Sequence, residues 1–190
     1  MRAWFSPAYT LPEGSVGFPT QKFELTAKAL VKEGLLTETD LSVPDLPTAE
    51  ELLRAHTPEW TAKAVSGGLS AAEEELLEMR WTPALSIAHR LCLRATLEAC
   101  RDAVRTGLGV HVGGGSHHAF ADHGEGYCLL NDLAAAVLEL QAARVLARAA
   151  VVDLDVHQGN GTASILAGRQ GLFTLSLHQA DLYPAVKPAS

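Results

Sequence analysis

The sequence predicts an α/β fold, a mostly parallel sheet with flanking helices. Short apolar runs alternate with helical segments through the second half of the chain, the pattern of a parallel sheet. The first half reads as a succession of capped helices. The polar residues of unusual composition fall just after predicted strands, and ligands of parallel sheets gather at the carboxyl ends of strands.

The 190 residues are enough for one domain with a sizeable core. Hydrophobic residues make up 47% and charged residues 19%, which excludes a disordered chain. No apolar run is long enough to cross a bilayer. The opening MRAWFSPAYT lacks the basic and apolar regions of a signal peptide, so a cytoplasmic location is expected. A net charge of −7 argues against a nucleic acid held through its phosphates. It suits a cationic partner such as a lysine-rich tail or a polyamine, or solubility alone. Cys92, Cys100 and Cys128 form no CxxC pair, and a reduced compartment fits them.

Element by element, Arg2 to Phe5 reads as a strand, and Thr20 opens a helix that closes near Gly34. Thr48 with Glu51, and Ser70 with Glu73, have capping-box spacing, while Thr57-Pro58 is a cap followed by proline at the first helical position. A long helix runs from about Pro83 to Arg105 and stops at Gly107; Cys92 and Cys100 are expected to pack in the core around it. Gly109 to Val112 is a short strand leading into Gly113-Gly114-Gly115, and Asn131 to about Val145 is helical. Ala149 to Val156 is a strand with a buried apolar start, Thr162 to Ala167 a short helix, and Leu172 to Leu177 another buried strand.

Two constellations carry chemistry. Asp153, Asp155 and His157 are spaced i, i+2, i+4, which puts all three on one face of a strand. Two carboxylates beside a buried run need a cation or strong donors, and a divalent metal supplies that compensation. One carboxylate and one imidazole are ordinary zinc ligands; the alternative is a solvated strand end. Gly159-Asn160-Gly161 then lets the backbone turn tightly beside them. The second constellation is His117-His118, directly after the glycine run. A loop can aim two adjacent histidines into one pocket, where different partners could divide acid and base roles. By itself such a pair is more often structural. Gly124-Glu125-Gly126-Tyr127-Cys128 suits a narrow channel wall or an ordinary surface turn.

Taken together, GGGSHHAFADHGEGYCLLND (113–132), VVDLDVHQGNGT (151–162) and LFTLSLH (172–178) resemble the histone deacetylase superfamily. That superfamily includes bacterial acetoin-utilisation proteins and acetylpolyamine amidohydrolases, and FPTQKFELTAKALVKEGL (18–35) and HTPEWTAKAVSG (56–67) also fit. The resemblance covers nearly the whole chain and is nearest to bacterial proteins related to class IV deacetylases. It implies the open parallel sheet shared with arginases and a zinc-dependent hydrolase that removes acyl groups from lysine side chains or related amines. Zinc, or another divalent metal, would be held by Asp155 and His157. His118 would be general base and then acid, with Asn160 orienting it, and His117 an electrostatic partner bonded to Asp153. Asparagine at 160 in place of the aspartate of many relatives should leave His118 less basic. Gly126 and Tyr127 would line the acyl-lysine channel beside Cys128, and a monovalent cation, often potassium, would use groups at Asp153, Asp155, His157, Ser176 and Leu177.

The resemblance also implies a third zinc ligand, an aspartate on a later strand, and an oxyanion-binding tyrosine later still. Tyr183 comes too early to match that tyrosine. Residues 1–190 are therefore expected to form a single, incomplete deacetylase-like domain, the N-terminal part of the fold. Alone it should be an inefficient enzyme with exposed apolar surface, so that poor solubility, a partner or a longer natural protein is expected. A non-catalytic interaction module and an acetylpolyamine-type amidohydrolase are the competing readings.

Overall fold

The computed structural model describes residues 1–12 and 17–188. Strand β1 (Ala3–Trp4) pairs in parallel with β2 (Leu41–Ser42) on one side and β3 (Val110–His111) on the other. Strands β4 (Ala149–Asp153) and β5 (Leu172–Ser176) pair in parallel as a second unit. The parallel α/β class thus holds, but among the described residues the strands form two sheets. Strand β2 was not visible in the sequence, because two residues after a turn carry no periodicity.

The helical first half follows its caps. Helix α1 (Gln21–Lys32) begins after Thr20, whose hydroxyl accepts from Leu11 N (3.0 Å) instead of capping the helix. Helices α2 (Ala49–Leu53) and α4 (Ala71–Leu77) each start at a complete capping box. In α3 (Pro58–Ser66) the Thr57 hydroxyl accepts from Trp60 N at 3.2 Å. Helix α5 (Pro83–Thr106) starts at Thr82 and ends at Gly107, which takes the left-handed conformation at φ 91°. It packs lengthwise on α6 (Asp132–Ala142), joining Leu97 to Ala136 and Leu140. The main core gathers Trp60, Leu77, Leu85, Leu93, Leu129 and Leu130, each at most 1% exposed. Cys92 is buried in the α5 face as expected, Cys100 only partly, and all three cysteines are free.

The β4–β5 unit corrects two expectations. Strand β4 stops at Asp153, so Asp155 and His157 lie in the bend that follows and do not share a strand face with it. Neither strand is buried on both sides. Val151 and Leu172 pack on the core, whereas Leu154 is 71% and Phe173 58% exposed, with Val152 and Leu177 also open. The pleat sends alternate residues to opposite faces, and the second face has nothing packed on it among the described residues.

Buried histidines give this fold a definite pH response. His56 Nδ1 donates to Phe120 O (3.0 Å), and its Nε2 accepts from Asn131 N (2.9 Å). Burial pushes His56, His89 and His111 down to about 4 from the ordinary 6.5. The unfolded chain therefore binds more protons than the native one between these values. Stability is fully present above about 6.5 and falls as pH drops toward about 4. Urea midpoints measured across that range should decline on acidification, and a flat profile would contradict neutral native histidines.

Candidate active site

The loop after β3 is held from two sides. Asp132, the first residue of α6 and 0% exposed, accepts Ser116 N at 2.7 Å and Gly115 N at 3.0 Å. It also accepts the Thr96 hydroxyl, and Thr96 bonds His111 Nδ1, whose Nε2 lies 3.0 Å from the Tyr9 hydroxyl. From the other side, Thr162 N in α7 (Asn160–Leu166) donates to His117 O at 3.0 Å, and Asn131 Nδ2 donates to Ala119 O at 2.9 Å. A buried carboxylate at a helix N-terminus is favoured by the helix dipole, and here it fixes the backbone that precedes the two histidines. Asp132→Asn would place an amide nitrogen against donors. A loss of about 1–3 kcal/mol is expected, read from denaturant unfolding.

Held in this way, His117 and His118 both enter one cavity of about 700 Å³, their ring centroids 4.1 Å apart. Each has its own partner. His117 Nδ1 meets Asp153 Oδ2 at 2.6 Å, and His118 Nδ1 meets Asn160 Oδ1 at 2.7 Å. Burial, the neighbouring His117 and, less strongly, His157 push His118 down to about 4, against the opposing effects of Asn160 and Glu125. His118 is therefore a neutral imidazole near pH 7. Burial would raise the Asp153 carboxyl, but the hydrogen bond and charge of His117, with Asp155 N–H, hold it below its ordinary range.

Asp155 and His157 face the same cavity from the bend after β4. Asp155 Oδ1 accepts His157 N at 2.8 Å, lies 3.3 Å from His157 Nδ1 and 3.9 Å from His117 Nε2. One carboxylate and one imidazole fit zinc chemistry. Among the described residues no cluster of three or more His, Cys, Asp or Glu side chains is placed to hold a metal. Asp153 and Ser176 are register partners at the ends of β4 and β5, and Leu177 N donates to Asp153 O at 2.9 Å. The groups expected around a monovalent cation thus adjoin one another, with Ser176 Oγ bonded to His178.

Glycine matters here mainly through close approach. Gly159 is the centre of the tight turn expected here, with Asn160 N donating to Gln158 O at 2.8 Å, but its φ of −74° is open to other residues, so the turn alone does not require glycine. A Cβ on Gly159 would come within 2.2 Å of Asp153 Oδ2 and 3.2 Å of His117, which is why that position is bare. Gly126 combines φ +50° with a Cβ position 3.0 Å from the His118 ring. Tyr127, at φ 63°, is strained by about 1–3 kcal/mol. Its backbone N donates to Leu77 O (2.9 Å), and its ring packs 5.5 Å from that of Phe18 on the cavity wall. Cys128 also lines the cavity, is itself buried, and burial pushes its thiol up to about 12.

Two residues enter the site without having been assigned a role in it. Tyr183 stands edge-on to His118, with centroids 4.9 Å apart, and its hydroxyl bonds Glu125. Glu125 in turn accepts Asn160 Nδ2 at 2.8 Å. A charged residue between two glycines was the only signal for Glu125; nothing in the sequence placed Tyr183 beside His118.

The model of the histone deacetylase domain matches residues 17–189. The acetoin utilization protein AcuC of Bacillus subtilis is 32% identical over 177 residues, covering 87% of this chain and 45% of its own length. Histone deacetylase 2 of Arabidopsis thaliana is 26% identical, over 88% of this chain and 45% of its own. Among solved structures, the HDA15 HD domain superposes with TM-score 0.80 at 24% identity, over 97% of this chain and 56% of that one. A histone deacetylase homologue from Aquifex aeolicus gives 0.76 at 22%, over 96% and 52%. The chain thus spans about half the length of the curated relatives it matches. With nearly all of its length matched by the domain model, the chain belongs to the histone deacetylase family.

Proposed function

We propose that this chain supplies the acid–base and metal-binding part of a zinc-dependent amide hydrolase acting on acylated lysine or a related acylated amine. The observation that carries this is the pair of histidines in one cavity, each bonded to a different partner beside Asp155 and His157. His118 Nδ1 is engaged by Asn160, which leaves Nε2 to take the proton from an attacking water and return it to the departing amine. His117, bonded to the Asp153 carboxylate, is the electrostatic partner beside the reacting centre. Asp155 and His157 would hold the metal, which when bound polarises the acyl carbonyl and acidifies water. Tyr127 and Gly126 confine an extended acyl-amine stem, and Asp153, Ser176 and Leu177 with Asp155 and His157 offer oxygen-rich surroundings for potassium. With two metal donors instead of the usual three, residues 1–190 by themselves should turn over slowly. A reduced, cytoplasmic setting suits the three free cysteines; among the described residues no helix is long and apolar enough to cross a membrane.

Competition between an acetyl-lysine peptide and an acetylated polyamine tests the substrate class in a full-length protein carrying this sequence. The peptide should be hydrolysed in preference. Exclusive hydrolysis of the polyamine would make this a small-molecule amidohydrolase.

A further inference from the structure

Glu125 is pinned by a two-way backbone bridge to Cys128, with Glu125 N donating to Cys128 O (3.1 Å) and Cys128 N to Glu125 O (2.9 Å). Its Oε1 accepts from Asn160 Nδ2 at 2.8 Å and from the Tyr183 hydroxyl, and its Oε2 lies 3.5 Å from His123 Nε2. Asn160, 3% exposed, spans the gap between Glu125 and His118. The end of Asn160 facing Glu125 is the amide nitrogen, a donor against a carboxyl oxygen that accepts. The end facing His118 is then the carbonyl oxygen, which also only accepts. His118 Nδ1 must therefore carry the proton, and Nε2 keeps its lone pair.

An asparagine by itself does not specify this. Its two ends are nearly the same size, and a half-turn of the amide would present Nδ2 to His118 Nδ1 and move the imidazole proton to Nε2. An aspartate at the same place would have no such freedom. In the serine-protease triad, the wrong histidine tautomer lowers turnover about 10⁴-fold.

We propose that Glu125 is a positioning residue that sets the tautomer of His118 by fixing which way Asn160 faces. The proposal rests on the general-base reading of His118, but it is tested without substrate or metal. In the ¹⁵N-histidine-labelled 190-residue chain at neutral pH, long-range ¹H–¹⁵N correlations should show His118 with protonated Nδ1 and bare Nε2. Nuclear Overhauser contacts should run from the Asn160 side-chain NH₂ to the Glu125 methylene protons. In Glu125→Ala the Nε2 signal should move from the unprotonated toward the protonated position. In the Asn160→Asp background the same Glu125→Ala change should leave the tautomer as it was. A protonated Nε2 in the unaltered chain, or an Asn160 NH₂ directed at His118, would overturn the proposal, and both are read without any variant. So would an unshifted tautomer in a folded Glu125→Ala chain. Absence of amide hydrolysis in every form of the protein would remove the proposed function and leave the tautomer result standing.

Discussion

Replacing His118 with alanine is expected to lower acetyl-lysine turnover by about 10²- to 10⁴-fold while leaving bound zinc in place. His118 is tied through Nδ1 to Asn160, and its neighbours in the cavity are His117, His157 and Tyr183. It is neutral near pH 7 because burial and the adjacent histidine push it down to about 4. A neutral imidazole has a free lone pair to accept a proton, which is the state a general base needs. The measurement is kcat together with elemental zinc in a full-length protein carrying this sequence. Near-normal kcat would remove His118 as the base, and loss of zinc would make it a ligand.

The second large effect is on the metal itself. Asp155→Ala and His157→Ala are each expected to abolish stoichiometric zinc in that protein. Loss of residues that merely support metal ligands costs about 10–100-fold in affinity, and a direct ligand should cost more. The two side chains reach the cavity from a bend braced by Asp155 N on Asp153 Oδ1 and His157 N on Asp155 Oδ1. Zinc retained at full stoichiometry by both variants would show that the ligands lie elsewhere.

The helices were legible because their ends carry side-chain chemistry. Thr48, Thr57 and Ser70 each accept the backbone N–H that their position called for. The histidine pair and its partners were legible only in combination, since each motif alone has an ordinary structural explanation. The β4–β5 faces were misread. The run Ala149 to Val152 looks buried by composition, yet composition cannot say whether a sheet face has a neighbour, and Val152 is open. Strand length was misread for a related reason. Asp153 and Asp155 terminate pairing by turning their carboxylates onto the following backbone N–H groups, a local competition that alternation does not reveal. The links Glu125–Asn160 and Tyr183–Glu125 join residues 35 and 58 positions apart, and no local pattern encodes such contacts.

Metal-dependent deacylation is tested most directly by acetate release from an acetyl-lysine peptide by a full-length protein carrying this sequence, measured before chelation, after chelation and after zinc is returned. Turnover on the order of 1 s⁻¹ or faster is expected with zinc, with its loss on chelation and its recovery when zinc is returned. Acetate release that survives chelation, or none at all from the zinc-loaded protein, would contradict metal-dependent deacylation.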